Sequence, residues 1–332
     1  MNPVGDLVAL ILALAGLTTG VTPGVPPAAS AAPEAASPPA ITCPLTGVDA
    51  GGTDLSRPVH AVKIDNAARA RPQVGMPQAD VVYEELVEGG LTRFLVMYHC
   101  QHAPRIGPIR SARLVDPDLL IPYSPVLFGY SGAAPPVLAK VRSTAGVIDL
   151  VHGRNGPAYR RSGARPAPHN LYTSSDALLA RPAAQGVKGP PTTGFIFDPG
   201  LLAGSGASGS GVDLSYSRSS PVGYTYDAGS NKYLRSQGGR PHNDESGAQL
   251  SATNVLVLKV PVQIAGGTPH IGVTGEGAAT VLRGGQAVQG KWRREGLTYH
   301  FSLFDSAGQP IKLAPGNIWI NLVPSDRAVT LR

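Results

Sequence analysis

Three short segments carry more charge than buried strands need, and the first of them ends a predicted strand. They read KIDN at residues 63–66, followed by ARARPQ at 68–73, ADVVYEELVEGGLTR at 79–93 and RIGPIRSAR at 105–113. Arginine presents a rigid fork of donors that suits phosphate and carboxylate oxygens, and strand ends in α/β proteins are the usual place for ligands. The pattern therefore predicts a polar pocket for an anionic ligand. The candidate ligand-binding residues are Asp65, Asn66, Arg71, Glu85, Glu88, Arg93, Arg105, Arg110, Ser111 and Arg113.

A second interpretation of the same residues is purely structural. Arg–Glu pairs can orient loops without binding anything, and such ion-pair networks imitate functional sites.

The sequence also predicts a helix over residues 111–121 with Ser111 as its N-cap, and donors at a helix N-terminus would strengthen an anion site. Gly89 and Gly90 allow either a tight turn or a close approach to a ligand. Both interpretations fit the sequence.

Two proline-stiffened loops carry histidines, in RPAPHN at residues 165–170 and RPHND at 240–244. Imidazole titrates near neutral pH, so His169 and His242 are candidates for a general acid or base. Together with Asp244 they also have the chemistry of metal ligands, but no Cys/His set has zinc-site spacing and no metal site is predicted. The alternative is a loop histidine that bonds a backbone carbonyl.

Ser131 lies in GYSGA (residues 129–133), between a predicted strand and a predicted helix, which is the setting of a nucleophile elbow. A serine hydrolase would pair it with Asp149 or Asp176 and with one of the two loop histidines. The last glycine of the motif is replaced by Ala133, and Gly and Ser are common in such turns anyway. Whether the protein is an enzyme is left open; the candidate catalytic residues are His169, His242, Asp244 and Ser131.

The pattern of apolar residues changes along the chain. Strands predicted at Val81–Leu86 and Val126–Tyr130 alternate with helices up to about Arg181, and beyond a Gly/Ser-rich insert at 204–211 short strands are separated by turns. The predicted fold class is α+β, with a layered α/β N-terminal domain followed by a mostly antiparallel β C-terminal domain. The predicted parts are a signal peptide (1–31), a Pro/Ala-rich linker and domain entry (32–56), the N-terminal domain (57–185), a Gly/Pro/Ser-rich connection (186–211) and the C-terminal domain (212–332).

Composition excludes several classes of protein. The 332 residues have a formal net charge of +6 and 15% charged residues. Arginines make up 21 of the 28 basic residues, and 13 of them lie between Arg57 and Arg181. Neither the modest net positive charge nor the 6% of aromatic residues predicts nucleic-acid binding. No phosphate-binding loop or dinucleotide motif is present, so no cofactor is predicted.

An apolar run at residues 7–17 is too short to cross a membrane and is typical of a signal peptide, so the protein is predicted to be secreted or otherwise extracytoplasmic. Disulfides persist in such compartments, which favours a bond between Cys43 and Cys100. The alternative is a nucleophilic Cys100 flanked by His99 and His102.

Taken in order, the motifs resemble the YerB-like family of bacterial lipoproteins. The likeness covers nearly all of the chain from Cys43 onward and rests on RPVHAVKIDN, VEGGLTRF, IGPIRSAR, PHNLYT, GGRPHND and PGNIWI. It implies an exported or lipid-anchored envelope protein with an N-terminal and a C-terminal domain, and it brings no catalytic residues. This chain departs from the family in lacking a Cys soon after the apolar run, and its YSGAAPP segment is less polar than expected.

Three functions fit these observations. The first is an envelope protein whose arginine-rich pocket binds an anionic, phosphate-bearing ligand such as a glycan or a polyprenyl phosphate. The second is an envelope hydrolase or transferase that uses Ser131 or the pair His169 and His242. The third is a non-catalytic adaptor for wall-assembly or secretion proteins, with partners the sequence does not identify.

Overall fold

The computed structural model describes residues 41–200 and 207–332, together with Gly20. Apart from Gly20, the predicted signal peptide lies outside these residues, as do the linker up to residue 40 and part of the Gly/Ser-rich insert. Helices are few and short. They are α1 (Asp116–Leu120), α2 (Pro135–Ser143) and α3 (Ser175–Leu179), with single 3₁₀ turns at Ala68–Ala70, Met76–Gln78, Glu88–Gly90, Ile121–Tyr123, Gly156–Ala158 and Pro182–Ala184.

Strands dominate the described chain. Those before residue 200 are β1 (Val59–Asp65), β2 (Val81–Leu86), β3 (Thr92–Tyr98), β4 (Val126–Tyr130), β5 (Val147–Val151), β6 (Arg160–Arg161) and β7 (Leu171–Tyr172). Those after residue 206 are β8 (Ala207–Ser208), β9 (Gly211–Ser215), β10 (Pro221–Asp227), β11 (Lys232–Gln237), β12 (Arg240–Pro241), β13 (Ser251–Ala252), β14 (Asn254–Val260), β15 (Val262–Ala265), β16 (Thr268–Ile271), β17 (Gly275–Arg283), β18 (Gln286–Arg294), β19 (Ser302–Asp305), β20 (Ile318–Pro324) and β21 (Val329–Leu331).

The largest layer is a mixed sheet, here called the central sheet, with the order β19-β18-β17-β14-β20-β2-β3-β1-β4-β5 and β8 added to β18. Strands from both predicted domains share it, because β2 pairs in parallel with β20, for example Tyr83 with Ile320. The described residues from 41 onward form one compact unit. The N-terminal half is therefore richer in sheet than the predicted layered α/β domain.

The two faces of the central sheet are covered differently, because successive side chains of a strand point to opposite sides. One face, here called the helix face, carries Val59 and Ala61 of β1 and packs against α1 and α2. The other, the sandwich face, carries Val62 and Ile64 and packs against a second sheet of order β12-β11-β10-β9-β21. Both faces are buried, which explains why the strands are almost continuously apolar.

The helix predicted over residues 111–121 is wrong in its first half. Residues 107–112 are extended instead and pair with the end of β1, where Arg110 N donates to Lys63 O (2.8 Å) and Asp65 N donates to Pro108 O (2.9 Å). This pairing takes up the backbone groups that a helix would use. The helix α1 begins at Asp116, and Ser111 is therefore not a helix cap.

One prediction about the surroundings of the sheet can be compared with the structure. Cys43 and Cys100 form a disulfide that spans a sequence separation of 57 residues and ties the entry segment to the end of β3, so the disulfide is confirmed over a nucleophilic Cys100. Among the described residues, no helix is long and apolar enough to span a membrane.

Candidate anion-binding site

Polar side chains gather on both faces of the central sheet at one edge, where β1, β2 and β4 end and β3 begins. The neighbouring residues Glu84 and Glu85 of β2 point to opposite faces, so each starts a separate group. On the helix face, Arg93 of β3 lies directly between Asp65 and Glu85 in the strand register. The groups are called the open cluster (Lys63, Asp65, Glu85, Glu88, Arg93, Arg110, Ser111, Arg113, Asp116, Ser131 and His169) and the closed network (Asn66, Gln73, Glu84, Thr92, Arg235, Gln237 and His242).

Lys63 forms the base of the open cluster. Its ammonium donates to Glu85 Oε1 (2.5 Å) and Asp116 Oδ1 (2.7 Å), and none of the three side chains reaches solvent. Burial raises the pKa of Glu85 to about 7; Asp116 adds to this rise and Lys63 opposes it. Asp116 Oδ2 also accepts from Arg113 N (2.6 Å), so the lysine fixes the segment that carries Arg113.

Arg93 is the least exposed arginine of the open cluster, at 8%. Its Nη1 donates to the carbonyl oxygen of Ser111 (2.9 Å), but within the described chain no carboxylate forms an ion pair with it. Burial and then the charge of Arg113 lower the pKa of Arg93 to about 10, while Asp65 opposes the fall. Arg93 is thus a cation held beside other cations without a counterion of its own.

The two other arginines of the open cluster have carboxylate partners. Arg110 Nε lies 3.1 Å from Asp65 Oδ2, and the same oxygen lies 2.8 Å from His169 Nδ1. Arg113 donates through Nε and Nη2 to Glu88 Oε2. The side chains of Arg110 and Arg113 remain 26% and 18% exposed, so the cluster opens to solvent on their side.

Ser131 completes the open cluster. Its backbone N donates to Arg110 O (3.0 Å), and its hydroxyl lies 3.5 Å from that of Ser111. The turn lacks the backbone strain of a nucleophile elbow, because Ser131 does not have a positive φ. Within the described chain, Asn231 is the one non-glycine residue that does.

The aspartates predicted for a hydrolase lie elsewhere. Asp149 accepts from Tyr130 Oη (2.8 Å), and Asp176 lies 3.0 Å from His102 Nδ1. The carboxylate that faces His169 is Asp65. The triads proposed from the sequence are therefore not assembled as expected.

The closed network is sealed between the two sheets. Arg235 Nη2 donates to both carboxylate oxygens of Glu84 (2.9 and 2.8 Å), and both side chains are completely buried. Arg235 can only donate, so its contact with His242 requires Nδ1 of the imidazole to accept, and Nε2–H then donates to Gln73 Oε1 (2.7 Å). Burial, followed by the charge of Arg235, lowers the pKa of His242 to about 2, so this histidine is neutral.

The remaining predicted ligand residues are not in the open cluster. Asn66 is buried in the closed network and donates to Thr92 Oγ1 (2.7 Å). Arg105 pairs with Glu245 and lies over the ring of Tyr172, and Arg71 lines a separate cleft with Arg240.

The predicted glycine turn approaches protein rather than an open site. The carbonyl oxygen of Gly90 accepts from the hydroxyls of Ser217 (2.5 Å) and Ser220 (2.9 Å). At φ +71°, a Cβ on Gly90 would lie 3.0 Å from Ser217 Oγ. The glycine is needed for contact between the two halves of the chain.

His169 and His242 belong to different groups: the first contacts Asp65 and the second contacts Gln73 and Arg235. Gln73 links them indirectly, because its Nε2 donates to the backbone oxygen of Asp65 (2.9 Å). Within the ranges that the structure describes, no three His, Cys, Asp or Glu side chains are grouped to hold a metal ion.

Sequence reasoning did not single out Lys63, Asp116 or Arg235. A signal was present for the first: a lysine inside an apolar strand must be paired when it is buried. The alternation of side chains along β2 also assigns Glu84 and Glu85 to two sites instead of one pocket. Arg235 carried no such signal, because its partner Glu84 is 151 residues away in the sequence.

Comparisons with known proteins agree with this architecture. Residues 45–188 match the family model described as "Protein of unknown function (DUF3048) N-terminal domain", and residues 212–320 match the corresponding C-terminal domain. The "Putative lipoprotein YerB" of Bacillus subtilis is 28% identical over 300 residues, which are 88% of each chain. The crystal structure of the YerB protein from Bacillus subtilis aligns with a TM-score of 0.75 at 25% identity, covering 87% of this chain and 99% of that one. The resemblance seen in the motifs is confirmed: the chain belongs to the DUF3048, or YerB-like, family.

Proposed function

We propose that the open cluster binds the phosphate group of an envelope ligand, either a phosphate-bearing glycan or a polyprenyl phosphate. The observation that carries this proposal is Arg93, a nearly buried guanidinium without a carboxylate partner in the described chain. Its neighbours Asp65 and Glu85 are already engaged, the first by Arg110 and His169 and the second by Lys63.

An anion beside Arg93 would supply the ion-pair partner that this guanidinium lacks among the described residues. Guanidinium groups bind phosphate through pairs of short, charge-assisted hydrogen bonds. The half-buried hydroxyls of Ser111 and Ser131 add neutral donors next to Arg110, and Lys63 fixes the strand end beneath them through Asp116. The donors are therefore held in place before a ligand arrives, which lowers the entropic cost of binding.

The disulfide and the relatives support a location outside the cytoplasm. Cys43 and Cys100 are bonded, and such bonds persist mainly in oxidising compartments. The Bacillus subtilis relative is described as a lipoprotein candidate, which implies attachment at the envelope for that protein. We infer that this chain is likewise exported and meets its ligand at the cell envelope.

The test measures binding of the purified full chain to two phosphate sources. One is a phosphate-bearing wall glycan, compared with the same glycan after hydrofluoric acid has removed its phosphate; the other is neutral lipid vesicles with and without polyprenyl phosphate. Arg93→Gln and Arg110→Ala should each weaken binding about 10-fold or more, because a charge-assisted hydrogen bond contributes about 1.5–3 kcal/mol. Whichever source is bound identifies the physiological form of the phosphate.

Arg293→Ala is the matched control, because it also removes one positive charge but from the exposed surface of β18. It should leave binding unchanged, and thermal unfolding should show that each variant is folded. Equal binding by wild type and Arg93→Gln, or equal binding of the dephosphorylated glycan and the plain vesicles, would refute the proposal.

The contact between His169 and Asp65 favours hydrolysis of the bound ester as a second candidate function. A carboxylate that holds Nδ1 of an imidazole orients Nε2 for proton transfer, as in general-base catalysis. A serine-reactive phosphonate probe tests for a nucleophilic Ser131: this second function requires that the wild type is labelled and that Ser131→Ala and His169→Gln both abolish the labelling. If the wild type is not labelled, Ser131 is not an activated nucleophile.

A further inference from the structure

A cleft of about 540 Å³ lies on the sandwich side of the same sheet edge, between the loop around Arg71 and the loop that follows β11. Its walls include Arg71 and Pro72 from one half of the chain, and Arg240, Pro241 and Asn243 from the other. The volume is within the range of small-molecule sites. The cleft is separate from the open cluster. Its lining residues His242 and Gln237 belong to the closed network, which lies on the sandwich face of the central sheet.

The cleft contains two arginines without counterions. Among the described residues, neither Arg71 nor Arg240 forms an ion pair or a side-chain hydrogen bond. Two carboxylates also line the cleft, and both have other partners: Asp244 Oδ1 accepts from the backbone and hydroxyl of Ser246 (2.8 and 2.5 Å), and Glu245 pairs with Arg105. Two free guanidinium groups in one concavity create an attraction for a dianion.

The walls of the cleft are held in position by contacts that do not involve these arginines. Arg165 donates to the carbonyl oxygens of Ala70 and Pro72, both at 2.7 Å, and so fixes the loop that carries Arg71. The opposite loop is attached by Glu245 N, which donates to Gln73 O (2.8 Å). The cleft therefore keeps its shape without a ligand, and binding does not have to order it.

We propose that this cleft binds a phosphate ester of a hydroxyl-bearing compound, such as a sugar phosphate, between Arg71 and Arg240. The phosphate dianion matches the two unpaired guanidinium groups. The exposed amide of Asn243 and the rings of Pro72 and Pro241 are suited to the organic part of the ester. Since the cleft joins residues from both halves of the chain, its ligand would bridge them.

Isothermal titration of the full chain with glucose 1-phosphate, inorganic phosphate and glucose tests this site. We expect glucose 1-phosphate to bind most tightly and glucose not to bind. Arg71→Ala and Arg240→Ala should each weaken the binding of glucose 1-phosphate about 10-fold or more. Arg69→Ala is the matched control, because Arg69 is exposed in the same loop but does not line the cleft, and it should bind as the wild type does.

The variants also separate this proposal from the one for the open cluster. Arg93→Gln should leave binding of glucose 1-phosphate in the cleft unchanged. If Arg93→Gln abolishes binding while Arg71→Ala does not, the cleft proposal fails and the open cluster is the site. Absence of binding at millimolar concentrations, or an equal loss in Arg69→Ala, also overturns the proposal.

Discussion

The open cluster and the closed network start from adjacent residues of one strand and end in opposite environments. Glu84 points between the two sheets and finds Arg235 there, with no side-chain exposure on either partner. Glu85 points under α1 and finds Lys63, but the groups around it continue outward to Arg110 and Arg113, which reach solvent. The closed network satisfies its central carboxylate within the protein, whereas the open cluster leaves Arg93 without an ion-pair partner among the described residues.

This difference separates the structural role of the closed network from the binding role that we propose for the open cluster. A sealed ion pair cannot exchange its partner for a ligand, and removal of either member leaves a buried charge. A cluster with an unpaired arginine and solvent access can accept an external anion. Shifted pKa values alone would not distinguish the two regions, because both contain groups with shifted pKa values. The regions differ in their arginines: Arg235 has a carboxylate partner, whereas Arg93 has none in the described chain.

The largest expected effect comes from breaking the closed network. Glu84→Gln keeps the shape of the side chain but leaves Arg235 buried without a counterion, so the free energy of unfolding should fall by about 3–5 kcal/mol. Urea denaturation of the wild type and the variant measures this difference in the free energy of unfolding. Glu88→Gln in the open cluster is the comparison; its pair with Arg113 is partly exposed and screened by water, so the loss should stay below about 1 kcal/mol. Equal losses would show that the two regions do not differ in this way.

Over a single pH unit, a smaller effect is expected from acid. In the folded protein the pKa of His242 is lowered from 6.5 to about 2, so the unfolded chain takes up a proton that the folded chain refuses. His242 therefore stabilises the fold fully above about pH 6.5, and this contribution is lost by up to about 1.4 kcal/mol per pH unit as the pH falls. In His242→Gln the amide can still accept from Arg235 and donate to Gln73, and the pH-dependent loss should disappear. An unchanged pH profile in the variant would mean that His242 is not held neutral.

The smallest effect, with the opposite sign, is expected for Glu85. Its pKa is raised from 4.5 to about 7, so the folded state holds a proton that the unfolded chain releases. This contribution is present below about pH 4.5 and is lost as the pH rises through about 7, by an amount on the order of 1–3 kcal/mol. Compared with Glu85→Gln, the wild type should lose stability on going from about pH 5 to about pH 8. A difference that stays constant with pH would contradict the raised pKa.

Much of the sheet was predictable because its strands are short apolar runs bounded by turn residues. The strands Val81–Leu86 and Val126–Tyr130 occur where the sequence predicts them, and α2 begins at Pro135. The segment after Pro108 was not predictable, because its extended form depends on pairing with β1 rather than on its own pattern. The sharing of one sheet by both halves depends likewise on long-range partners.

The candidate site was predictable in part for a similar reason. Arg93 lies at the start of β3, and Arg110 pairs through its backbone with the end of β1, three residues before Arg113, so the structure brings the three arginines together. Arg71 is separated from them because the loop after β1 turns to the sandwich side, which the sequence does not encode locally. Asp65 and Asn66 are neighbours in the sequence, yet they point into different groups.

The parallel pairing of β2 with β20 sets an order of events during synthesis. Residues 81–85 leave the ribosome long before their partners at 318–322, and Glu84 is made 151 residues before Arg235. Until the last strands emerge, β2 has an unpaired edge and a carboxylate without its counterion, a state that favours pairing with other chains. The fold therefore cannot be completed strand by strand, because the central sheet closes between β2 and β14 only when β20 is present.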